Sequence, residues 1–510
     1  MLYVSLIVEL LRSHPRAVFW LVTLAQAALW WVMPSLFYAA PPGDVALVLA
    51  IGHELQLGTF LGPPLAFWLA ELAFNLAGMP GVYLLSQICV VVTYWAVFTL
   101  GCAVVGAAHA AIAVMLMVGI LVFGVSTPEF GPPVLAMAIS ALILLHFWRA
   151  IGEGRRAYWP LLAVEIGLLL LTTYAGLILL GAMIAFTTTS RRGRAMLGSI
   201  DPWLAGIIVV LLMLPHLIWL DAAGNVLLPA LRRLLSAEAS RTNPVDGLRI
   251  AVRILALHAG LIIMVALAAG WRLKSHERVP VFLRPPVERF ARRYIYYFAA
   301  APLLLAAIIA VITGQSRPIG GSAPLVVLSG LAVVVAGGDT IRLHRQRLVS
   351  FAWAILLVLP PVLALFATVA MPWVMAADLQ ATRPAKDMGR YFSEIFLRRT
   401  GKPLEIIAGE EALAALAALY AAPRASLYVD AAPAHSPWVQ ADDIRRKGAL
   451  VVWRASDTAG TPPAAIRTRF PDLVADVPRA FERTVQGRAP VLRVGWGILR
   501  PQEAAPATMR

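Results

Sequence analysis

From residue 17 to residue 373 the chain is a succession of apolar runs of spanning length with short polar breaks between them. A helix needs about 20 predominantly apolar residues to cross a bilayer. The runs fall near 17–39, 80–104, 110–127, 131–148, 158–173, 176–190, 202–220, 250–271, 295–315, 321–339 and 349–373. They predict a polytopic α-helical membrane protein of about eleven transmembrane helices. Beyond residue 373 the pattern changes. Short β-branched and aromatic runs bounded by Gly, Pro and Asp read as strands at 403–409, 426–430 and 448–455. Helical stretches fall between them, one running to Tyr420 and one over ADDIRR (441–446). The alternation predicts a small α/β domain. The expected division is therefore a membrane domain at 1–373 and an extracytoplasmic α/β domain at 374–510.

Charge supplies the topology. The net charge is +15, and the arginines gather in the breaks RAIGEGRR, SRRGR, IRLHRQR and the 271–293 region. Such clusters mark cytoplasmic loops and must be separated by an even number of crossings. The run at 158–189 lies between two of them. It is therefore expected to cross twice and turn at Thr172–Gly176. The outer segments are then 40–79, the turn around Glu129, the 172–176 turn, 221–249, the loop around Arg317, and the tail. Arg12 and Arg16 precede a first run that is longer than a signal-peptide core. The expectation is an uncleaved first span, a cytoplasmic N-terminus, and an amphipathic start at 1–11 lying along the inner surface. This placement of the positive charge leaves nucleic acid without a binding motif. Cys89 and Cys102 point to different helical faces and read as small buried hydrophobes.

The densest chemistry lies in 41–78, PPGDVALVLAIGHELQLGTFLGPPLAFWLAELAFNLAG. Asp44 follows a Pro-Pro-Gly turn and opens a helical run. A carboxylate there serves either as a helix N-cap or as a general base toward an acceptor hydroxyl. Val48, Ile51 and Leu55 share one helical face while His53, Glu54 and Gln56 lie off it, the pattern of a helix on a membrane surface. Glu54 is a candidate substrate-binding residue. Glu129 lies in the very short outer turn TPEFGP, and Tyr174 marks the next one. Arg317 stands in a Gly-rich outer loop, where the positive-inside bias disfavours it. A guanidinium there suits a phosphate. Arg232, Arg233 and Arg241 form a second outer basic group. Glu165 lies inside an apolar run, where a charge costs about 2.5–3.5 kcal/mol on insertion scales. It is expected to be protonated or paired, and it is the residue a transporter would use.

In order along the chain, GDVALVLAIGHELQLGTFLGPPLAFWLAELAFNLAG, TPEF, WRAIGEGRRAYWPLLAVEIGLLLLTTY, DPWLAGIIVVLLMLPHLIWL, KPLEIIAGEEALAALAALYA and SLYVDAAPAHSPWV resemble the bacterial GT-C glycosyltransferases of family 39. That superfamily holds the protein O-mannosyltransferases and the lipid A aminoarabinose transferases. The resemblance implies a GT-C fold in a bacterial inner membrane, with the C-terminal domain periplasmic. It further implies a polyprenyl-phosphate sugar donor, a lipid, lipopolysaccharide or protein acceptor, and inversion at the anomeric carbon. Asp44 matches the catalytic acidic position of the first outer loop, and Arg317 falls in a comparable late loop that holds the donor phosphate. A divalent metal is left open. The chain departs from many relatives at three places. Val45 stands where a second acidic residue is common, Leu61-Gly62 precedes Pro63-Pro64 in place of Lys or His, and Thr172-Thr173-Tyr174 stands where a Thr-Lys-Tyr phrase is common. A glycolipid transporter and a non-catalytic glycolipid-binding relative are the competing readings.

Overall fold

The computed structural model describes residues 2–502 apart from 126, 223–243, 270–279, 316–319, 344, 377, 430–434, 456, 486 and 489. The chain forms two compact units, Met1–Val32 with Tyr83–Val362, and Met33–Val82 with Leu363–Arg510. The boundary expected at 373 therefore leaves out part of the second unit. The first outer segment is built into the C-terminal unit.

In the first unit helices coincide with the expected runs. Among the described residues six helices are long and apolar enough to cross a membrane, among them Asp201–Ala222, Arg289–Ile312 and Gln346–Val369. The pair Gly247–Leu257 and Ala259–Ala269, bent by 58°, makes a seventh if it is one span. The remaining runs carry shorter helices: Ala107–Met117, Trp159–Leu170, Gly176–Thr189 and Ser329–Ala336. Trp159–Leu170 has 12 residues, a rise of about 18 Å against a hydrocarbon core of about 30 Å. The turn at 172–176 is where the charge rule puts it, but each arm is shorter than a full span.

Small residues let these helices approach closely. Gly119 accepts a backbone hydrogen bond from Leu261 N at 3.1 Å. A Cβ at Gly330 would strike Ala113 O. Elsewhere the contact is aromatic, with Phe147, Phe186, Tyr294 and Phe298 all buried and Tyr294 Oη donating to Leu144 O at 2.5 Å.

The arginine-bearing loops meet one another, as the charge rule requires of loops at one end. Arg192 donates to Gly152 O at 3.2 Å and pairs with Glu288 at 2.5 Å. Strands β1 (Val281–Leu283) and β2 (Thr340–Arg342) pair antiparallel as a two-stranded ribbon, and Arg12 donates to Val281 O at 2.9 Å.

The second unit is built on a mixed sheet of β3 (Ile406–Gly409), β4 (Ser426–Tyr428), β5 (Ala449–Arg454), β6 (Val474–Ala475), β7 (Arg479–Phe481) and β8 (Leu492–Leu499). The order is β4-β3-β5-β8-β6, with β7 also on β8. β3 runs parallel to β4 and β5, whereas β8 is antiparallel to its neighbours. Three of these strands were legible in sequence. The helix Glu411–Leu419, buried from Leu413 to Leu419, packs between the sheet and the first-segment helix Val45–His53. That contact changes the reading of Val45–His53. All of Val45 to Gly52 is buried, so the helix is a core element of this unit and not an amphipathic surface helix. The following helix, Leu65–Val105, is broken at Ala77 (φ −146°) and Gly78 (φ 63°), inside the second unit, which the chain leaves after Val82.

Candidate active site

Asp44 begins the buried helix, but its side chain is exposed. Its backbone carbonyl accepts from Val48 N at 2.9 Å, while its carboxylate makes no cap hydrogen bond. It thus holds the N-cap position without the N-cap bond. A carboxylate at a helix N-terminus, where the peptide dipoles favour negative charge, is left available to an outside partner.

The turn that presents it is clamped from the far end of the chain. Gln380 Nε2 donates to Pro41 O at 2.9 Å and to Gly43 O at 2.7 Å. Ala39 N and Ala40 N donate to Ala381 O at 2.8 and 3.2 Å. Gly43 sits at φ 53°, a left-handed conformation that costs little only without a Cβ. Two residues before Gln380, Asp378 is held by Arg454 at 2.6 Å, Arg483 at 2.8 Å and Arg383 at 3.0 Å. Burial alone would raise its carboxyl, but the hydrogen bonds from Arg383 and Arg483 outweigh it and bring it down to about 2.

The opposite end of the same helix is closed. Arg424 Nη1 donates to both oxygens of Glu71 at 2.8 Å. Its Nη2 reaches Leu49 O at 2.8 Å, and its guanidinium lies over Phe74 at 4.9 Å. Glu71 also accepts from Asn75 Nδ2 at 3.2 Å and lies 3.2 Å from His53 Nδ1. Glu54 belongs to this closed end. Burial raises its carboxyl above the ordinary value although Ser426 hydrogen-bonds it, and its Oε1 is buried without a hydrogen-bond partner. Beyond it, Phe60 stacks on His435 with ring centroids 4.6 Å apart.

The remaining predicted residues lie in the first unit or outside the described residues. Glu129 is exposed in a turn anchored from beneath by Ser86, which donates to Thr127 O, and by Gln87 Nε2, 3.2 Å from Thr127 Oγ1. Tyr174 Oη lies 2.9 Å from His216 Nε2, and burial pushes its phenol up to about 12, so it stays protonated at neutral pH. The loop leading from Arg317 is pinned where it re-enters the described residues. A Cβ at Gly320 would collide with the Ala175 methyl, and one at Gly321 would crowd Pro133. The turns of Glu129 and Tyr174 and the end of the Arg317 loop are thereby neighbours. Arg232, Arg233 and Arg317 themselves lie outside the described residues. Glu165 is paired, with His146 Nδ1 2.7 Å from Oε1. Among the described residues no three His, Cys, Asp or Glu side chains gather where they could hold a metal ion.

Sequence reasoning missed Glu71, Gln380 and Arg424. Glu71 interrupts an apolar run, AFWLAELAF, and that interruption was a usable signal. Gln380 and Arg424 act over 337 and 353 residues of separation and carry no local mark.

Residues 62–219 match the sequence model of the dolichyl-phosphate-mannose-protein mannosyltransferase family. No curated protein matches in sequence. Among solved structures the chain is similar to ArnT from Cupriavidus metallidurans bound to undecaprenyl phosphate. There the TM-score is 0.56 at 12% identity, over 96% of this chain and 99% of that one. The oligosaccharyltransferase of Archaeoglobus fulgidus aligns at a TM-score of 0.44 and 14% identity, over 88% of this chain and 70% of that one.

Proposed function

We propose, from the premise that this multi-pass membrane chain belongs to the GT-C glycosyltransferases, that it moves a sugar from a polyprenyl-phosphate donor to a lipid, lipopolysaccharide or protein acceptor at the periplasmic face of a bacterial inner membrane. The observation that carries the reading is the state of Asp44. Its carboxylate is exposed and makes no cap bond, on a turn that Gln380 and Ala381 hold in place. A side chain kept for structure would be used by its own helix. This one is presented.

In the proposed reaction Asp44 takes the proton of an acceptor hydroxyl. The freed oxygen electron pair attacks the anomeric carbon from the face opposite the phosphate. The carbon–oxygen bond to phosphate breaks, its electrons pass to the phosphate oxygen, and the sugar is inverted. The leaving group is the polyprenyl phosphate, a lipid of the kind named with the similar ArnT structure. Arg317, with Arg232 and Arg233, is assigned to that phosphate, where positive charge stabilises the transition state by several kcal/mol in a dry site. Glu129 and Tyr174 are assigned to the substrate side of the neighbouring outer turns, and Glu54 to orienting the Asp44 helix from its far end.

The test is mass spectrometry of lipid extracts from cells with the protein, without it, and with Asp44→Asn. A glycan mass that requires both the protein and Asp44 supports transfer. If the lipids are unchanged, the same comparison is made on envelope proteins. No Asp44-dependent product in either pool rejects the reading. A transport reading is kept because one observation favours it: the Glu165–His146 pair is buried within the helices and Glu165 Oε2 has no partner. It predicts loss of function in Glu165→Gln with Asp44→Asn unaffected.

A further inference from the structure

The first unit contains a cavity of about 570 Å³ that the proposed chemistry does not use. Its walls are almost wholly apolar and include Val8, Leu11, Met115, Ala268, Val333 and Trp353. A cavity of this volume is in the range that holds one ligand, and an apolar wall within a bundle of membrane helices selects a hydrocarbon chain.

Polar groups along one side say what kind of molecule carries that chain. The segment IRLHRQR alternates, with Ile341, Leu343 and Gln346 lining the cavity and Arg342, Arg345 and Arg347 interleaved. Arg345 is not exposed, and its Nη2 is buried with no hydrogen-bond partner among the described residues. Trp353, in the cavity wall, also has a buried indole N–H without an acceptor. Just after β1, the Arg284 side chain is 3% exposed, pairs with Asp339 at 3.7 Å and leaves Nη1 without a partner among the described residues. Its other nitrogens bind Gly338 O and Val335 O. Buried N–H groups of this kind are normally satisfied, and several beside one apolar cavity call for acceptors from a ligand.

We infer that the cavity holds the acyl chain of a resident anionic glycerophospholipid, with the phosphate at Arg345 and a glycerol ester at the Trp353 N–H. The spacing favours this lipid over a polyprenyl phosphate. Gln346 and Trp353 are seven residues apart on one helix, a rise of about 10 Å. A glycerophospholipid spreads acceptors from phosphate to ester carbonyls along its length, whereas a polyprenyl chain is apolar from its phosphate onward. Basic pockets between membrane helices on the cytoplasmic side are a recurrent anionic-lipid site, and here the segment that lines the pocket carries an arginine cluster of the kind that marks that side. The inference is independent of the transferase reading.

The full chain, purified in mild detergent, is analysed by native mass spectrometry and by lipid extraction. The expected result is about one phospholipid per chain, enriched in anionic headgroups, that survives further detergent washing. Ala268→Phe, which fills the cavity, is expected to abolish retention. Arg345→Gln keeps the cavity and is expected to lower affinity for added dioleoylphosphatidylglycerol about fivefold, the size of one headgroup arginine, without changing phosphatidylcholine binding. Thermal melting with each lipid gives a second readout if Ala268→Phe folds poorly. Dioleoylphosphatidylglycerol should then raise the wild-type Tm and leave that of Arg345→Gln less changed. A wild-type chain that retains no lipid, retains polyprenyl phosphate instead, or binds both headgroups equally overturns the inference.

Discussion

The helix Val45–His53 is nine residues long, and its two ends are treated in opposite ways. At one end Asp44 is exposed, with no cap bond. At the other, Glu71 is 6% exposed and receives both bonds of one Arg424 nitrogen, with His53 and Asn75 beside it. Both ends carry a carboxylate, but only the second is spent on holding the fold. A buried carboxylate left without its cation costs several kcal/mol, so the closed end fixes the position of the helix. The open end can then offer a charged group at a defined place. That division of labour is what a reacting group needs: a rigid support behind it and no structural duty of its own.

The largest expected effect breaks the open end alone. Asp44→Asn should lower transfer by about 10²–10⁴-fold, the usual contribution of a general base, and leave the melting temperature within about a degree of wild type because no bond to the carboxylate is lost. A comparable activity loss with a large fall in melting temperature would mean that Asp44 supports the fold after all. The next effect breaks the closed end. Arg424→Ala removes one partner of a buried pair and should destabilise the second unit by about 3–5 kcal/mol. Replacing both partners, Arg424→Met with Glu71→Leu, should recover much of that loss, which denaturant unfolding can measure.

A third test uses pH to weaken the clamp behind Asp44. The Asp378 carboxyl is held down at about 2 by its arginines, against about 3.9 in an unfolded chain. Because the folded value is the lower one, its contribution to stability is complete above about pH 4 and is lost as pH falls toward 2. Asp378→Asn should therefore destabilise the protein at neutral pH and flatten the acid limb of its stability profile. An acid limb that is the same in both proteins would assign the loss to other carboxylates.

The same comparison explains what the sequence made readable. Asp44 stood out because a Pro-Pro-Gly turn before an apolar run is a local signal, and local signals survive without coordinates. The helix positions in the first unit were readable for the same reason: an apolar run between arginine clusters is contiguous in the chain. The character of Val45–His53 was misread because its cover, Glu411–Leu419, lies more than 350 residues away. Without that cover, its apolar residues look like a surface stripe. β8, LRVGWGIL, was missed since two glycines dilute its strand pattern. Arg424 and Gln380 were invisible for a further reason. Gln380 works only through backbone carbonyls, Pro41 O and Gly43 O, which have no side-chain identity to read, and Arg424 meets Glu71 and Leu49 O from more than 350 residues away.

The smallest expected effect separates position from ionisation at the closed end. Glu54 follows His53 directly, is hydrogen-bonded by Ser426, and feels the charges of Arg424 and Glu71. Burial raises its carboxyl above the ordinary value, so the folded state holds this proton more tightly than the unfolded chain does. The sign is opposite to that of Asp378. A raised folded value means that the carboxyl favours folding most at low pH, and that this contribution is lost as pH rises through the ordinary carboxylate range and then through the folded value. Glu54→Gln keeps the shape and the ability to hydrogen-bond but cannot ionise. It should raise the melting temperature at neutral pH by a degree or two, leave it unchanged near pH 4, and leave transfer close to wild type if orientation of the helix is its only role. A selective rise in KM with unchanged melting would move Glu54 from the support of the helix to the substrate.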